Sequence, residues 1–378
     1  MVKMSIPKFL VNDFVVMEDI CNCSCQYCLT ASSNFKDKHK FLFCEEEINF
    51  NLDKLLNDEN SYREGQSLKN NIDFISDWIV KNTNTLILKL SGGEIFLVKN
   101  IIEYIKKVSP KYKRVQVLTN GTLLSESIIS ELSAIKNLCL QISMDGHTLQ
   151  MNKYRVKNER MQQKLCNVLD LCSSYNIPVE INCVITNANL DRLYEFAGYL
   201  LKYTNVLLLP YVVRGKYRNK FIPEKRQICG LETLLDSYEE YKSVLPPEQY
   251  LLRLKEFLIT GANNNTCYIP DMIFQTFDDG VITPCPNIWF KSLGNIIAEP
   301  DNIVNKMSSD PFYKVIDSHK RILDNCTSCF TPWEILNLFI ENKVSLNELR
   351  NIYLFNDADI IEYFKELKNE IRNKVSCK

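Results

Sequence analysis

Short apolar runs alternate with amphipathic stretches through the first half of the chain, and this alternation restricts the fold more than any other feature. Runs at 14–20, 85–91, 114–119, 138–143, 179–186 and 206–211 read as strands. Helical patterns near 68–81, 99–108, 125–134, 161–175 and 191–201 lie between them. Strand and helix in strict turn predict parallel strands joined by right-handed crossovers. The expected class is α/β, and six such units suit a partial (β/α)6 barrel better than a closed eight-fold one. Barrels of this kind gather their chemistry at the C-terminal ends of the strands.

The rest of the 378 residues divides around that barrel, which is assigned to 1–213 with a polar, charged insertion at 31–67 that reads as a lid or surface elaboration. A basic, helical connector follows at 214–260, carrying Arg214, Lys216, Arg218, Lys220, Lys225 and Arg226. It reads either as a solvated link or as a contact for an anionic substrate. Residues 261–330 form a small cysteine-rich module, and 331–378 form terminal helices. A helix is expected at 332–343, and Ser345 with Glu348 gives a capping-box signature for the next. Trp333, Leu336, Phe339, Leu346 and Leu349 recur at helical spacing, as a face packed on the barrel or as a peptide groove. A net charge of −1 gives no global pull toward nucleic acid, and no apolar run reaches membrane-spanning length. Lys8 and Asp13 interrupt the N-terminal apolar stretch, which does not read as a signal peptide, so a cytoplasmic location is expected.

Fifteen cysteines need an explanation, and an odd count rules out complete pairing. Cys139, Cys166, Cys172 and Cys183 sit in apolar, periodic surroundings and read as small buried hydrophobes. Cys21, Cys25 and Cys28 are different: they form C-x3-C-x2-C directly after the first strand. Three thiolates can hold three irons of a [4Fe-4S] cluster and leave the fourth iron open. A zinc site is the competing reading, and it needs a fourth ligand. None of the three histidines (His39, His147, His319) stands at zinc-finger spacing, and Cys23 would crowd the other three.

The run Cys-Asn-Cys-Ser-Cys-Gln-Tyr-Cys, with Tyr27 before its last cysteine, resembles the signature of the radical S-adenosylmethionine superfamily. Ser91-Gly92-Gly93-Glu94 resembles the family's Gly-Gly-Glu motif, and Phe96 and Leu97 continue the pattern, although Ile95 stands where proline is usual. Leu118 to Gly121 and Ile142 to Gly146 end the next two strands as the family's do, with Asn120, Ser143 and Asp145 among them. Arg155, twelve residues after Ser143, is placed like the arginine that meets the cofactor carboxylate. The resemblance implies that Cys21, Cys25 and Cys28 hold the cluster and that the Gly-Gly-Glu segment holds the methionine amino group of S-adenosylmethionine. It also implies reductive cleavage of that cofactor to a 5′-deoxyadenosyl radical, which takes a hydrogen atom from substrate. An external one-electron donor of flavodoxin or ferredoxin type would feed the cluster.

Cys267, Cys285, Cys326 and Cys329, with Gly280 and Gly294-Asn295-Ile296 between them, resemble the auxiliary-cluster module of the SPASM/twitch branch. No cysteine follows the final pair until Cys377, which favours the shorter twitch form with a second [4Fe-4S] cluster held by four thiolates. A zinc knuckle is the alternative. Cys229 reads as a spare thiol or as a hydrogen-atom donor to a substrate radical. Relatives in this branch crosslink, epimerise or oxidise peptides, so a peptide or protein substrate is expected first. A small-molecule dehydrogenase or rearrangement enzyme, with the auxiliary cluster as electron acceptor, is the second expectation.

Overall fold

Six parallel strands lie side by side in the order of the sequence: β1 (Val11–Val16), β2 (Ile87–Gly92), β3 (Arg114–Thr119), β4 (Leu138–Ser143), β5 (Val179–Ile185) and β6 (Val206–Val212). The crossovers carry helices α1 (Ile72–Thr83), α2 (Ile101–Val108), α3 (Glu126–Ser133), α4 (Glu159–Ser174) and α5 (Leu193–Leu200). This is the expected partial barrel. The computed structural model describes residues 9–17, 21–28, 71–214, 218–289, 291–310, 313, 316 and 318–376. The insertion at 31–67, Lys216 and Cys377 lie outside the described residues.

The strands form where they do because β-branched and leucine side chains can be buried on both faces. Along β1 and β4 every residue is buried. Helices start where a side chain can satisfy a free N–H. Ser125 accepts from the Ile128 N–H at 3.3 Å ahead of α3, and Asn158 accepts from Met161 at 2.9 Å ahead of α4. The Ser345–Glu348 capping box forms with both of its reciprocal bonds.

The first strand starts three residues earlier than expected. Asn12 and Asp13 break the apolar run in the sequence, yet both are buried, and Asn12 donates to Thr276 Oγ1 at 2.8 Å. Their polarity belongs to the barrel interior. Gln275, Asp13, Lys89 and Gln116 stand in register on four neighbouring strands, all buried.

The cysteine-rich segment shares the barrel's sheet. β7 (Ile273–Phe277) pairs parallel with β1 and extends the sheet beyond it. β8 (Val281–Thr283) and β9 (Gly294–Asn295) then turn back antiparallel, giving nine strands among the described residues. The helices that follow the barrel include α6 (Cys229–Asp236), α7 (Glu248–Thr260), α8 (Glu334–Ile340) and α9 (Ala358–Ser376). Trp333, Leu336, Phe339 and Leu349 are buried, so the terminal helices pack on the barrel and their apolar face is not an open groove. Trp333 lies under the Lys89 ammonium at 4.8 Å, and the Leu354 N–H donates to Glu180 Oε1 at 2.8 Å. These contacts seal the polar interior.

Gly92 ends β2 against the end of β1. A Cβ there would lie 2.1 Å from the Val16 carbonyl oxygen, a backbone atom that cannot swing aside. Gly92→Ala is therefore expected to separate the two strand ends and to destabilise the protein by about 1–3 kcal/mol, read as a lower urea midpoint.

Candidate active site

The C-terminal ends of the strands open into one cavity of about 1570 Å³, counting its mouth. Cys21, Cys25 and Cys28 line it from the loop after β1, and Cys267, Cys285 and Cys329 line it from the cysteine-rich module. Two groups that lie more than 200 residues apart in the chain thus face a common space because β7 pairs with β1.

The loop after β1 is tied down on several sides. Met17 takes a left-handed backbone (φ 51°), and its N–H donates to Asp278 Oδ2 at 3.2 Å. Asn120, after β3, donates to Asn22 Oδ1 at 2.8 Å and reaches Cys21 Sγ at 3.8 Å. Asn22 in turn donates to Thr122 Oγ1 at 2.9 Å. The Gln26 N–H donates to the Tyr154 carbonyl at 2.9 Å, and the Cys28 N–H closes a turn on the Cys25 carbonyl at 3.1 Å.

Arg155 lines the cavity and donates toward Cys25 Sγ at 3.8 Å. Its buried charge is met by Asp145, with the guanidinium 3.3 Å from both carboxylate oxygens. The Tyr27 hydroxyl also donates to Asp145, as does the Val184 N–H at 2.9 Å. Asp145 is 1% exposed and stands behind the lining. It orients Arg155 and Tyr27 instead of facing the cavity.

Glu94 has a similar placement. Its carboxylate accepts from Thr119 Oγ1 at 2.7 Å, from the Asn120 N–H at 2.7 Å and from the Phe96 N–H at 3.2 Å. It clamps the ends of β2 and β3 together, while Ser91, Gly92, Gly93, Asn120 and Ser143 line the cavity itself. Burial pushes the Glu94 carboxyl from its ordinary 4.5 up to about 7, against the pull of those three donors. A carboxyl raised on folding makes the native state bind more protons, so its contribution to stability falls as pH rises from about 4.5 to about 7. Glu94→Gln cannot titrate and turns an amide N–H toward a donor. Its deficit in urea midpoint relative to the native chain is expected to be largest near pH 5 and smaller at pH 8.

The thiols divide by environment. Burial pushes Cys25 up to about 12, opposed by Arg155. Hydrogen bonding from Cys23 brings Cys21 down to about 6, helped by Asn120. In the second group burial raises Cys267 to about 11 and Cys326 to about 12. Arg321 lies beneath that group. It donates to the Asn265 carbonyl at 2.8 Å, to the Cys326 carbonyl at 3.2 Å and to Glu334 Oε2 at 2.7 Å. Glu334 also accepts from Arg253 at 2.9 Å, from Asn263 at 3.2 Å and from Asn337 at 3.1 Å. Cys326 stands outside the cavity lining, in a small apolar cluster with Ile288 and Ile316.

Among the described residues no three Cys, His, Asp or Glu side chains converge closely enough to hold a single metal ion. The cysteines surround a space instead, with thiol sulfur as the donor type. That donor set fits an iron–sulfur cluster, whose irons spread the ligating sulfurs apart. The raised thiols would lose their protons as metal binds, a coupling that ties cluster assembly to pH.

Other sequence expectations fare differently. Cys139, Cys172 and Cys183 are buried and Cys166 is half-buried, as their surroundings implied. Cys229 starts α6 as an exposed thiol outside the cavity lining. Cys23 lines the cavity beside the other three cysteines. The basic connector is mixed, since Arg214 lines the cavity whereas Lys220, Lys225 and Arg226 are exposed. Thr122, Asp278 and Arg321 carried no motif in the sequence, and Asn22 was only a spacer within one, because each acts through neighbours that only the fold supplies.

No family model matches the chain. An uncharacterized protein of Methanocaldococcus jannaschii is 26% identical over 288 residues, covering 73% of this chain and 85% of that one. The antilisterial bacteriocin subtilosin biosynthesis protein AlbA of Bacillus subtilis is 28% identical over 118 residues, 31% of this chain and 26% of AlbA. Among solved structures, anSMEcpe with bound AdoMet and a Cp18Cys peptide superposes with a TM-score of 0.57 at 18% identity, over 96% of this chain and 99% of that one. Streptococcus suis SuiB bound to the precursor peptide SuiA gives 0.54 at 14% identity, over 85% of this chain and 70% of SuiB. The fold and the cysteine signature define a partial barrel of the radical S-adenosylmethionine type. In fold and cysteine signature the chain is similar to the radical S-adenosylmethionine enzymes of the SPASM/twitch branch. Among the described residues no helix is long and apolar enough to cross a membrane.

Proposed function

We propose that this enzyme modifies a peptide, starting from a hydrogen atom abstracted in the cavity between its two cysteine groups. The observation that carries the reading is that common cavity. A site able to bind S-adenosylmethionine and a second cysteine group face the same space. The relatives point the same way: AlbA serves bacteriocin biosynthesis, and anSMEcpe and SuiB have been seen with peptides bound.

In this reading Cys21, Cys25 and Cys28 hold a [4Fe-4S] cluster. Ser91, Gly92, Gly93, Asn120, Ser143 and Arg155 surround S-adenosylmethionine, and Cys267, Cys285, Cys326 and Cys329 hold a second cluster. The first cluster and its cofactor supply a 5′-deoxyadenosyl radical when reduced. The protein's own residues do the rest. Arg155, held by Asp145, presents a fixed positive charge to a carboxylate. Glu94 holds Asn120 at the rim. The terminal helices and Trp333 close the cavity floor, which keeps water from reactive intermediates.

The test is anaerobic reconstitution followed by incubation with reductant, S-adenosylmethionine and any short peptides that prove to be encoded beside this gene. Mass spectrometry should show loss of two hydrogens, as for a crosslink or oxidation, or a deuteron gained in heavy water, as for epimerisation. Cofactor cleavage without change in any such peptide, but with turnover of a sugar or amino alcohol, would overturn the peptide reading. Iron falling by about half in Cys267→Ala, as expected when one of two four-iron clusters is lost, tests the second site.

A further inference from the structure

Six charged side chains line the cavity: Asp13, Lys89, Arg155, Arg214, Arg321 and Glu334. Two of the cations are answered by the protein. Arg155 pairs with Asp145 at 3.3 Å and Arg321 with Glu334 at 2.7 Å. Lys89 and Arg214 are not: among the described residues neither has a carboxylate within 4.0 Å. Lys89 rests on the Trp333 ring at 4.8 Å and has no hydrogen-bonded acceptor among the described residues. Arg214 donates through one terminal nitrogen to Asn287 Oδ1 at 2.5 Å, a neutral acceptor, while its Nε is buried with no partner. Tyr211, beside it at 5.8 Å, accepts from Asn182 at 3.2 Å, so its hydroxyl proton stays available to a ligand.

We propose that Lys89 and Arg214 seat a carboxylate of the substrate, an inference that rests on the peptide reading and narrows it to peptides presenting that group near the reacting residue. The two cations are within electrostatic reach of each other and of Asp13. Asp13 already accepts from Ser91 at 3.0 Å, and Glu180 as well as Asp13 acts on Lys89, which leaves Arg214 as the cation that no carboxylate among the described residues meets. A carboxylate's two oxygens suit one Arg Nε edge and one ammonium. Leaving such donors buried without an acceptor is costly, so the missing acceptor is supplied by what binds.

The corner is distinct from the place assigned to the cofactor's carboxylate. Arg155 acts on Cys25 in the first cysteine group, whereas Arg214 acts on Cys329 in the second. Lys89 and Arg214 come from β2 and from just after β6; Arg214 reaches Asn287 of the cysteine-rich module, and Lys89 the Trp333 ring.

The probes are three pools of synthetic hexapeptides, equilibrated anaerobically with reconstituted full-length enzyme and S-adenosylmethionine and quantified by mass spectrometry. One pool carries an internal Glu with both ends capped. A second carries Gln with a free C-terminus, and a third carries Gln with both ends capped. At least one carboxylate pool should be retained about tenfold over the neutral pool, the scale of one charged hydrogen bond. The pool retained tells a side-chain carboxylate from a terminal one. Arg214→Gln and Lys89→Gln should each reduce the preference to within about twofold while leaving S-adenosylmethionine binding unchanged, and Arg214→Lys should restore part of it. Equal retention of all pools would overturn the carboxylate seat and leave the peptide reading standing. Retention of none would overturn both. A preference that survives Arg214→Gln, with only the electron paramagnetic resonance signal of the second cluster altered, would assign Arg214 to that cluster and refute the proposal.

Discussion

Cys25→Ala is expected to abolish formation of 5′-deoxyadenosine and to lower the iron of the reconstituted enzyme from about eight atoms per chain to about four. Cys25 stands in the middle of the C-x3-C-x2-C run and lines the cavity with Arg155 directed at its sulfur at 3.8 Å. A cluster cannot keep three protein ligands without it, and the loop offers only Cys23 as a substitute. Cys23 is buried and bonded to Cys21, its N–H donating to that sulfur at 3.4 Å. The paired control is therefore Cys23→Ala, which should retain both iron and cleavage. Iron counting and chromatography of the nucleoside product check both. Loss of cleavage in Cys23→Ala with survival in Cys25→Ala would reassign the ligand set.

Asp145→Asn should have the largest effect on stability. Asp145 is buried and accepts from Arg155, from the Tyr27 hydroxyl and from the Val184 N–H. Removing its charge leaves the Arg155 guanidinium buried and uncompensated. Breaking a buried pair from one side costs about 3–5 kcal/mol. The urea midpoint of the apoprotein measures that loss. A second readout separates positioning from mere instability. With Arg155 no longer held in place, affinity for S-adenosylmethionine should fall at temperatures where the variant is still folded. An unchanged midpoint would show that Asp145 is not the counter-charge assigned here.

How much of this was legible in the sequence differs by element. The strands at β3 and β4 begin and end where the sequence pattern placed them, because the middle of β3 and the whole of β4 are buried. β1 was misplaced because Asn12 and Asp13 face a polar interior that only the neighbouring strands create. The cysteine motif marked one wall of the site from spacing alone. The opposite wall was visible as a cysteine pattern, but its place in the same cavity depends on β7 pairing with β1 across more than 250 residues. Glu94 and Asp145 carried motif signals, yet both act from behind the lining. A motif records that a residue is needed and not which way its side chain points. Arg214 was one charge in a basic run, and nothing in the sequence separated it from its exposed neighbours Lys225 and Arg226.

The claim that three sulfurs hold a cluster able to drive cleavage of S-adenosylmethionine is tested most directly in one tube. Enzyme reconstituted with iron and sulfide under anaerobic conditions is mixed with dithionite and S-adenosylmethionine, and the nucleoside products are quantified. Formation of 5′-deoxyadenosine together with methionine is expected. An intact cofactor, with zinc recovered from Cys21, Cys25 and Cys28, would contradict it.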